Sequence, residues 1–204
     1  MYNCTNYHTA TEAKYGSRYT SGMANEYLIR KWRVWFKSVD REHTGQLTQK
    51  DEKRTEETFL KLGHLEGEEK EKAIKTSQSQ WDQFVFHGKS GPVTEAEFIE
   101  STNKSFMADK KQFEDIMRKA CTENATVIDP EGKGYLTEEE YTNIYKAFGF
   151  NHDEWLKSFF NVFDNGDGKA HTDSIVDAWV HLLTSEDDSK ADMLLETLEK
   201  CPDL

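Results

Sequence analysis

Residues 40–51 read DREHTGQLTQKD. Alternate positions carry oxygen: Asp40, Glu42, Thr44, the main-chain carbonyl of Gln46 and Thr48, with the Asp51 carboxylate closing the stretch. Gly45 stands sixth, where a residue free to adopt positive φ makes the sharp turn that lets flanking oxygens converge on a hard cation. Leu47, two residues beyond, is the only large apolar side chain in the loop. Upstream, Leu28, Trp32, Trp35, Phe36 and Val39 recur at the spacing of one helical face, so the loop is expected to lie between two helices.

The same punctuation returns three times. Gly91, Gly134 and Gly168 each precede an apolar residue by two, giving Val93, Leu136 and Ala170. Helical periodicity covers about 50–62, 68–85, 94–106, 109–128, 137–148, 152–163 and 173–183, with a short last helix near 189–199. No alternating run suggests a sheet of any size. Four helix–loop–helix units follow, with the apolar eighth-position residues pairing across two-loop ribbons. This is the EF-hand plan: an all-α fold of four hands in two paired lobes forming one compact body. The expected organisation is a polar, Tyr-rich arm over 1–24, a first hand pair over 25–106 and a second pair with a C-terminal helix over 107–204. The stretch from Leu60 to Ile74 reads as an elongated connector between the first two hands.

Ligand chemistry grades the loops. Cation binding needs oxygen at positions 1, 3, 5, 7, 9 and 12. The 40–51 loop supplies all six, although Asp51 is shorter than the usual bidentate Glu, which points to weak Ca²⁺ binding or to Mg²⁺. Residues 129–140, DPEGKGYLTEEE, offer Asp129, Glu131, the Tyr135 carbonyl, Thr137 and Glu140, but place Lys133 at position 5. An ammonium about 4 Å from a divalent ion costs roughly 2 kcal/mol even in water. Binding there requires Lys133 to swing outward. Residues 86–97 begin with Phe86 and have Gly88 third; residues 163–174, FDNGDGKAHTDS, begin with Phe163 and end with Ser174. Both are expected to be structural.

Composition excludes several classes. Leu, Ile, Val and Phe together fall just under a fifth of the 204 residues, and the net charge is −12, a combination that borders on disorder. Five Trp, eight Tyr and twelve Phe supply the missing core area. The acidic balance argues against nucleic acid and for cations or basic partners. No stretch is long and apolar enough for a membrane span, and the first thirty residues lack the apolar centre of a signal peptide, so a cytoplasmic monomer is expected. Cys4, Cys121 and Cys201 show no metal-type spacing and read as free thiols.

Around these loops the sequence resembles the invertebrate sarcoplasmic calcium-binding proteins and their relatives, the calexcitins, coelenterazine-binding proteins and photoproteins. The resemblance rests on the first loop ending in Asp51, LGHLEGEEKEKA at 62–73, GPVTEAEF at 91–98 and YTNIYKAFGFNHDEWLKSFFNVFDNGDGK at 141–169, and covers roughly 25–204. It implies two lobes packed together and a calcium or magnesium buffer or signal carrier. The Lys133 loop is also similar to DPEGKG segments of myosin regulatory light chains. The light-emitting branch uses a His four residues before a Trp in the last helix; here Ile175 holds that place before Trp179.

Trp32, Trp35, Trp81, Trp155 and Trp179 each fall on an apolar helical face. Large rings between two lobes could enclose a cavity for an apolar small molecule, and a metal-poor hand frame could equally serve a protein partner. No GxSxG, HExxH or phosphate-binding glycine loop appears, so no enzyme is expected. Only five Met are present, which favours a closed body over a Met-rich sensor groove.

Overall fold

A computed structural model describes residues 22–204. The polar arm expected over 1–24 therefore lies almost wholly outside the described residues. The helices are α1 (Glu26–Val39), α2 (Gln49–Leu62), α3 (Gly67–Trp81), α4 (Glu95–Ala108), α5 (Lys110–Ile128), α6 (Glu138–Ala147), α7 (Asp153–Phe160), α8 (Thr172–Thr184) and α9 (Met193–Glu199). A π turn over Asp82–Phe86 extends α3. Among the described residues no helix is long and apolar enough to cross a membrane.

Local chemistry starts these helices where they start. Asn25 caps α1, its side chain accepting from Leu28 N at 2.9 Å. Helices α2, α4 and α6 each open on a reciprocal capping box, Thr48 with Asp51, Thr94 with Glu97 and Thr137 with Glu140. In each, the carboxylate that closes the loop is also the third residue of the following helix. The last helix begins at Met193, later than the apolar pattern alone suggests, because Asp192 supplies its cap by accepting from Leu195 N at 3.0 Å.

Two short antiparallel ribbons join the hands. β1 (Gln46–Leu47) pairs with β2 (Val93–Thr94), setting Leu47 opposite Val93, and β3 (Tyr135–Thr137) pairs with β4 (Lys169–His171), setting Leu136 opposite Ala170. All four eighth-position side chains are buried, so the spacing read from sequence gives the ribbon register.

Two aromatic-rich cores lie beneath the ribbons. One gathers Trp32, Phe36, Leu47, Phe98, Phe106 and Phe113; the other gathers Leu136, Tyr141, Trp155, Phe159, Phe160 and Phe163. Neither core is sealed within its own hands. Val34 of α1 packs into the second core, Leu183 of α8 packs into the first, and Trp32 Nε1 donates to Leu183 O at 2.9 Å. Exchange of helical faces makes one body of the two pairs. Burial of large rings, each removing roughly 150–250 Å² from water, explains how a chain poor in aliphatic residues builds that interior.

Candidate metal loops and an inter-lobe cavity

The first loop brings three of its oxygens together. Asp40, 4% exposed, accepts from Thr44 N at 3.0 Å and Gly45 N at 2.7 Å, and its Oδ1 lies 3.2 Å from Thr44 Oγ1. That hydroxyl also lies 2.8 Å from the Gln46 carbonyl oxygen. Gly45, at φ 73°, makes the turn. Positions 1, 5 and 7 are thus neighbours, and no Lys or Arg among the described residues pairs with Asp40. The remaining donors face elsewhere. Glu42 pairs with Lys50 at 2.5 Å, and Asp51 divides its oxygens between the Thr48 amide at 2.9 Å and Arg54 at 2.7 Å. The Thr48 hydroxyl is held in the capping box. Grading the loop by its own twelve positions misses Arg54, one helical turn beyond Asp51, although an i,i+3 acid–base pair is visible in the sequence.

The third loop repeats the plan with a sharper substitution. Asp129 accepts from Lys133 N at 3.1 Å and Gly134 N at 2.7 Å, as Asp40 does in the first loop. The Lys133 ammonium does not swing outward. It turns inward, bonds Glu140 and lies 3.9 Å from Glu131, between the third- and twelfth-position carboxylates that would bind a divalent ion. That contact, with the Thr137 amide on the other oxygen, holds the Glu140 carboxyl down at about 2. The Thr137 hydroxyl is engaged with Glu140, and Tyr135 stands on the ribbon.

The other two loops keep the expected eighth position but differ from the expected register in their first halves. In the second, the left-handed glycine is Gly88 at φ 76° and not Gly91, and Phe86 is buried at the end of the π turn. Asp82 reaches across that turn to accept from Gly88 N at 2.8 Å. The π turn takes up an additional residue, which periodicity alone does not reveal. In the fourth, Phe163 is 2% exposed in the core and Asp164 fills the first-position role, its Oδ1 accepting from Gly166 N and Gly168 N at 2.8 and 2.9 Å. The first loop makes the equivalent bond five residues on and this one four, so the fourth loop is one residue short. Asp167 turns to His171 at 3.1 Å.

A common device emerges. Among the described residues no group of three or more His, Cys, Asp and Glu side chains is gathered to hold an ion. Instead each carboxylate in the twelfth position meets a cation of the chain: Arg54 on Asp51, Lys89 on Glu97 at 3.1 Å and Lys133 on Glu140. The oxygen set of the first and third loops fits a hard cation in kind, and these pairs must open for it to close around one.

Two of these carboxyls set a pH dependence. Glu97 is held at about 2, first by the Thr94 amide and then by Lys89, and Glu140 is held similarly low. An unfolded Glu titrates near 4.3, so the stabilisation is present above roughly that pH and is lost as pH falls from there toward about 2. The melting temperature of Glu97→Gln is expected to fall less steeply than that of the parent between about pH 4.5 and 2.5. An unchanged slope would show that this carboxylate contributes nothing.

Between the hand pairs lies a cavity of about 300 Å³. Its walls come from α1, α2, α3 and the π turn on one side and α5, α6, α8 and α9 on the other, with Trp35, Trp81 and Trp179 among the rings that line it. Trp32 and Trp155 do not line it. Trp32 packs edge-on against Phe106 and Phe113, and Trp155 stacks on Phe150 while donating to Thr197 O at 2.8 Å. Cys121 lies in the wall with its thiol pushed up to about 12 by burial, which leaves it unreactive at neutral pH.

No family model matches the chain. It is similar to a sarcoplasmic calcium-binding protein from Mizuhopecten yessoensis, 27% identical over 175 residues that cover 85% of this chain and 99% of that protein. Its structure is similar to the calcium-loaded apo form of coelenterazine-binding protein from Renilla muelleri, with TM-score 0.57, 19% identity, and 82% and 92% of the two chains covered. It is likewise similar to calcium-loaded apo-aequorin from Aequorea victoria, with TM-score 0.59, 16% identity, and 81% and 95% covered. The chain thus resembles the sarcoplasmic calcium-binding proteins in sequence and has the fold of the coelenterazine-binding proteins and photoproteins.

Proposed function

We propose that this protein binds divalent cations, calcium or magnesium, as a cytoplasmic, monomeric and non-enzymatic buffer or signalling protein of the sarcoplasmic type. The observation that carries the reading is the first loop, where Asp40, Thr44 and the Gln46 carbonyl already converge around a left-handed glycine. Glu42 and Asp51 would complete the shell on leaving Lys50 and Arg54, and the Thr48 position would be filled through water. Asp129, Glu131, the Tyr135 carbonyl and Glu140 form the second site, of lower affinity because Lys133 already neutralises it. Similarity to a sarcoplasmic calcium-binding protein supports calcium as the ion.

Calorimetric titration with Ca²⁺ and Mg²⁺ tests the ranking. Asp40→Ala is expected to abolish the tightest of the observed sites while the weaker one remains. Unchanged binding in that variant would transfer the primary site away from the first loop.

A second reading is favoured by the cavity. Its apolar walls and its place between the hand pairs suit a small apolar molecule, and similarity in fold to a coelenterazine-binding protein supports that class of ligand. The same frame would otherwise present itself to a protein partner.

A further inference from the structure

The cavity wall carries a charge pattern that the composition of the protein does not lead one to expect. Although the chain has 38 acidic residues against 26 Lys and Arg, no Asp or Glu among the described residues lies in the lining. Among the described residues the two charged side chains that line it are Arg41 and Arg54. Arg54 has carboxylate partners in Asp51 and, at 3.7 Å, Glu42. Arg41 has none within 4 Å among the described residues. Its terminal nitrogens donate to main-chain carbonyls, Asp203 O at 3.1 Å and Gly149 O at 2.9 Å, and its Cζ lies 3.9 Å from the centre of the Phe150 ring. Its Nε is buried with no hydrogen-bond partner among the described residues.

The Asp203 carboxylate acts on Arg41 only from beyond 4 Å, and a buried donor left unpaired is costly, so a fold tolerates this arrangement where something else adds to it. Phe59, Phe84, Trp35 and Trp179 offer apolar area for a tail, and arginine suits an anionic oxygen better than any other side chain. We propose that the inter-lobe cavity takes an amphiphile with an anionic head and an apolar body, of which a medium-chain carboxylate is the simplest case, its head seated at Arg41 and its tail among the rings. The proposal rests on the cavity reading above and adds the charge of the ligand. Entry of a cation into the first loop would draw Asp51 from Arg54 and leave a second guanidinium to face the same head.

Decanoate and 1-decanol share a tail and differ in the head, so calorimetric titration of the full chain with each separates the two claims. Decanoate is expected to bind about tenfold to a hundredfold more tightly than decanol, as a charge-assisted hydrogen bond formed out of water allows. In Arg41→Met the two affinities should converge through loss of decanoate binding, with decanol unchanged; Arg41→Lys should keep a reduced preference for the acid. Equal binding of both probes by the parent protein, or a preference that survives in Arg41→Met, overturns the anionic-head proposal while leaving an apolar cavity intact. Binding of neither overturns the cavity reading itself.

Discussion

Replacing Lys133 with aspartate is expected to raise the Ca²⁺ affinity of the third loop by about tenfold to a hundredfold, seen in calorimetry as a second site that strengthens toward the first. The lysine supplies an internal cation where the divalent ion would sit, bonding Glu140 and approaching Glu131. The substitution removes that competitor and adds a fifth-position oxygen. It should also make stability depend on metal. Without calcium, the introduced carboxylate, Glu131 and Glu140 repel one another, so the metal-free melting temperature of Lys133→Asp should drop below that of the parent. With calcium in excess it should recover, because ligand bound to the native state alone stabilises in proportion to the logarithm of its concentration over Kd. An affinity within twofold of the parent would show that some other position, the capped Thr137 first among them, limits the loop.

Asp192→Ala is expected to destabilise the protein by about 3–5 kcal/mol, a loss of roughly 6–20 °C in melting temperature for a chain of this size. Lys31 is wholly buried in α1, and its ammonium lies 2.9 Å from Asp192 Oδ2, off the line of a hydrogen bond but at ion-pair distance. It also lies 3.3 Å from Ser185 O and 4.4 Å from the centre of the Tyr27 ring. Removing the carboxylate strands that charge in the interior and takes the cap from α9. Asp192→Asn, which keeps a capping oxygen, should recover only the smaller part. Replacing both partners, Lys31→Met with Asp192→Leu, should recover most of the loss, since an apolar pair costs no desolvation of charge. A loss below about 1 kcal/mol in Asp192→Ala would mean that Lys31 finds water or another partner.

The helices and the ribbons are legible in the sequence for different reasons. Helical spacing of Leu28, Trp32, Phe36 and their counterparts is a local property, and the Gly-x-apolar punctuation carries the pairing of Leu47 with Val93 and of Leu136 with Ala170 without further information. The first and third loops are legible because Asp40 and Asp129 sit five residues before a left-handed glycine. In the second and fourth the glycine count places the eighth position but misplaces the first, because it does not distinguish Gly88 from Gly91 or see that the fourth loop is one residue short. Backbone φ and the hydrogen bonds of Asp82 and Asp164 settle both.

Four hands, their pairing and the supply of hard oxygens are readable from the chain alone, since helix spacing, loop punctuation and ligand type are each written in short stretches of it. The tertiary structure decided how those oxygens are used. Side-chain rotamers bring Arg54, Lys89 and Lys133 onto the closing carboxylates, a choice among several neighbouring acids that spacing leaves open. It decided also which tryptophans meet at the centre, placing Trp35, Trp81 and Trp179 at the cavity and Trp32 and Trp155 in the flanking cores. And it decided that a chain of net charge −12 would form a cavity whose charged walls, among the described residues, are Arg41 and Arg54. A cavity walled by helices of both hand pairs and a π turn has no local signature, because its character is the sum of side chains far apart in sequence and brought together only by packing.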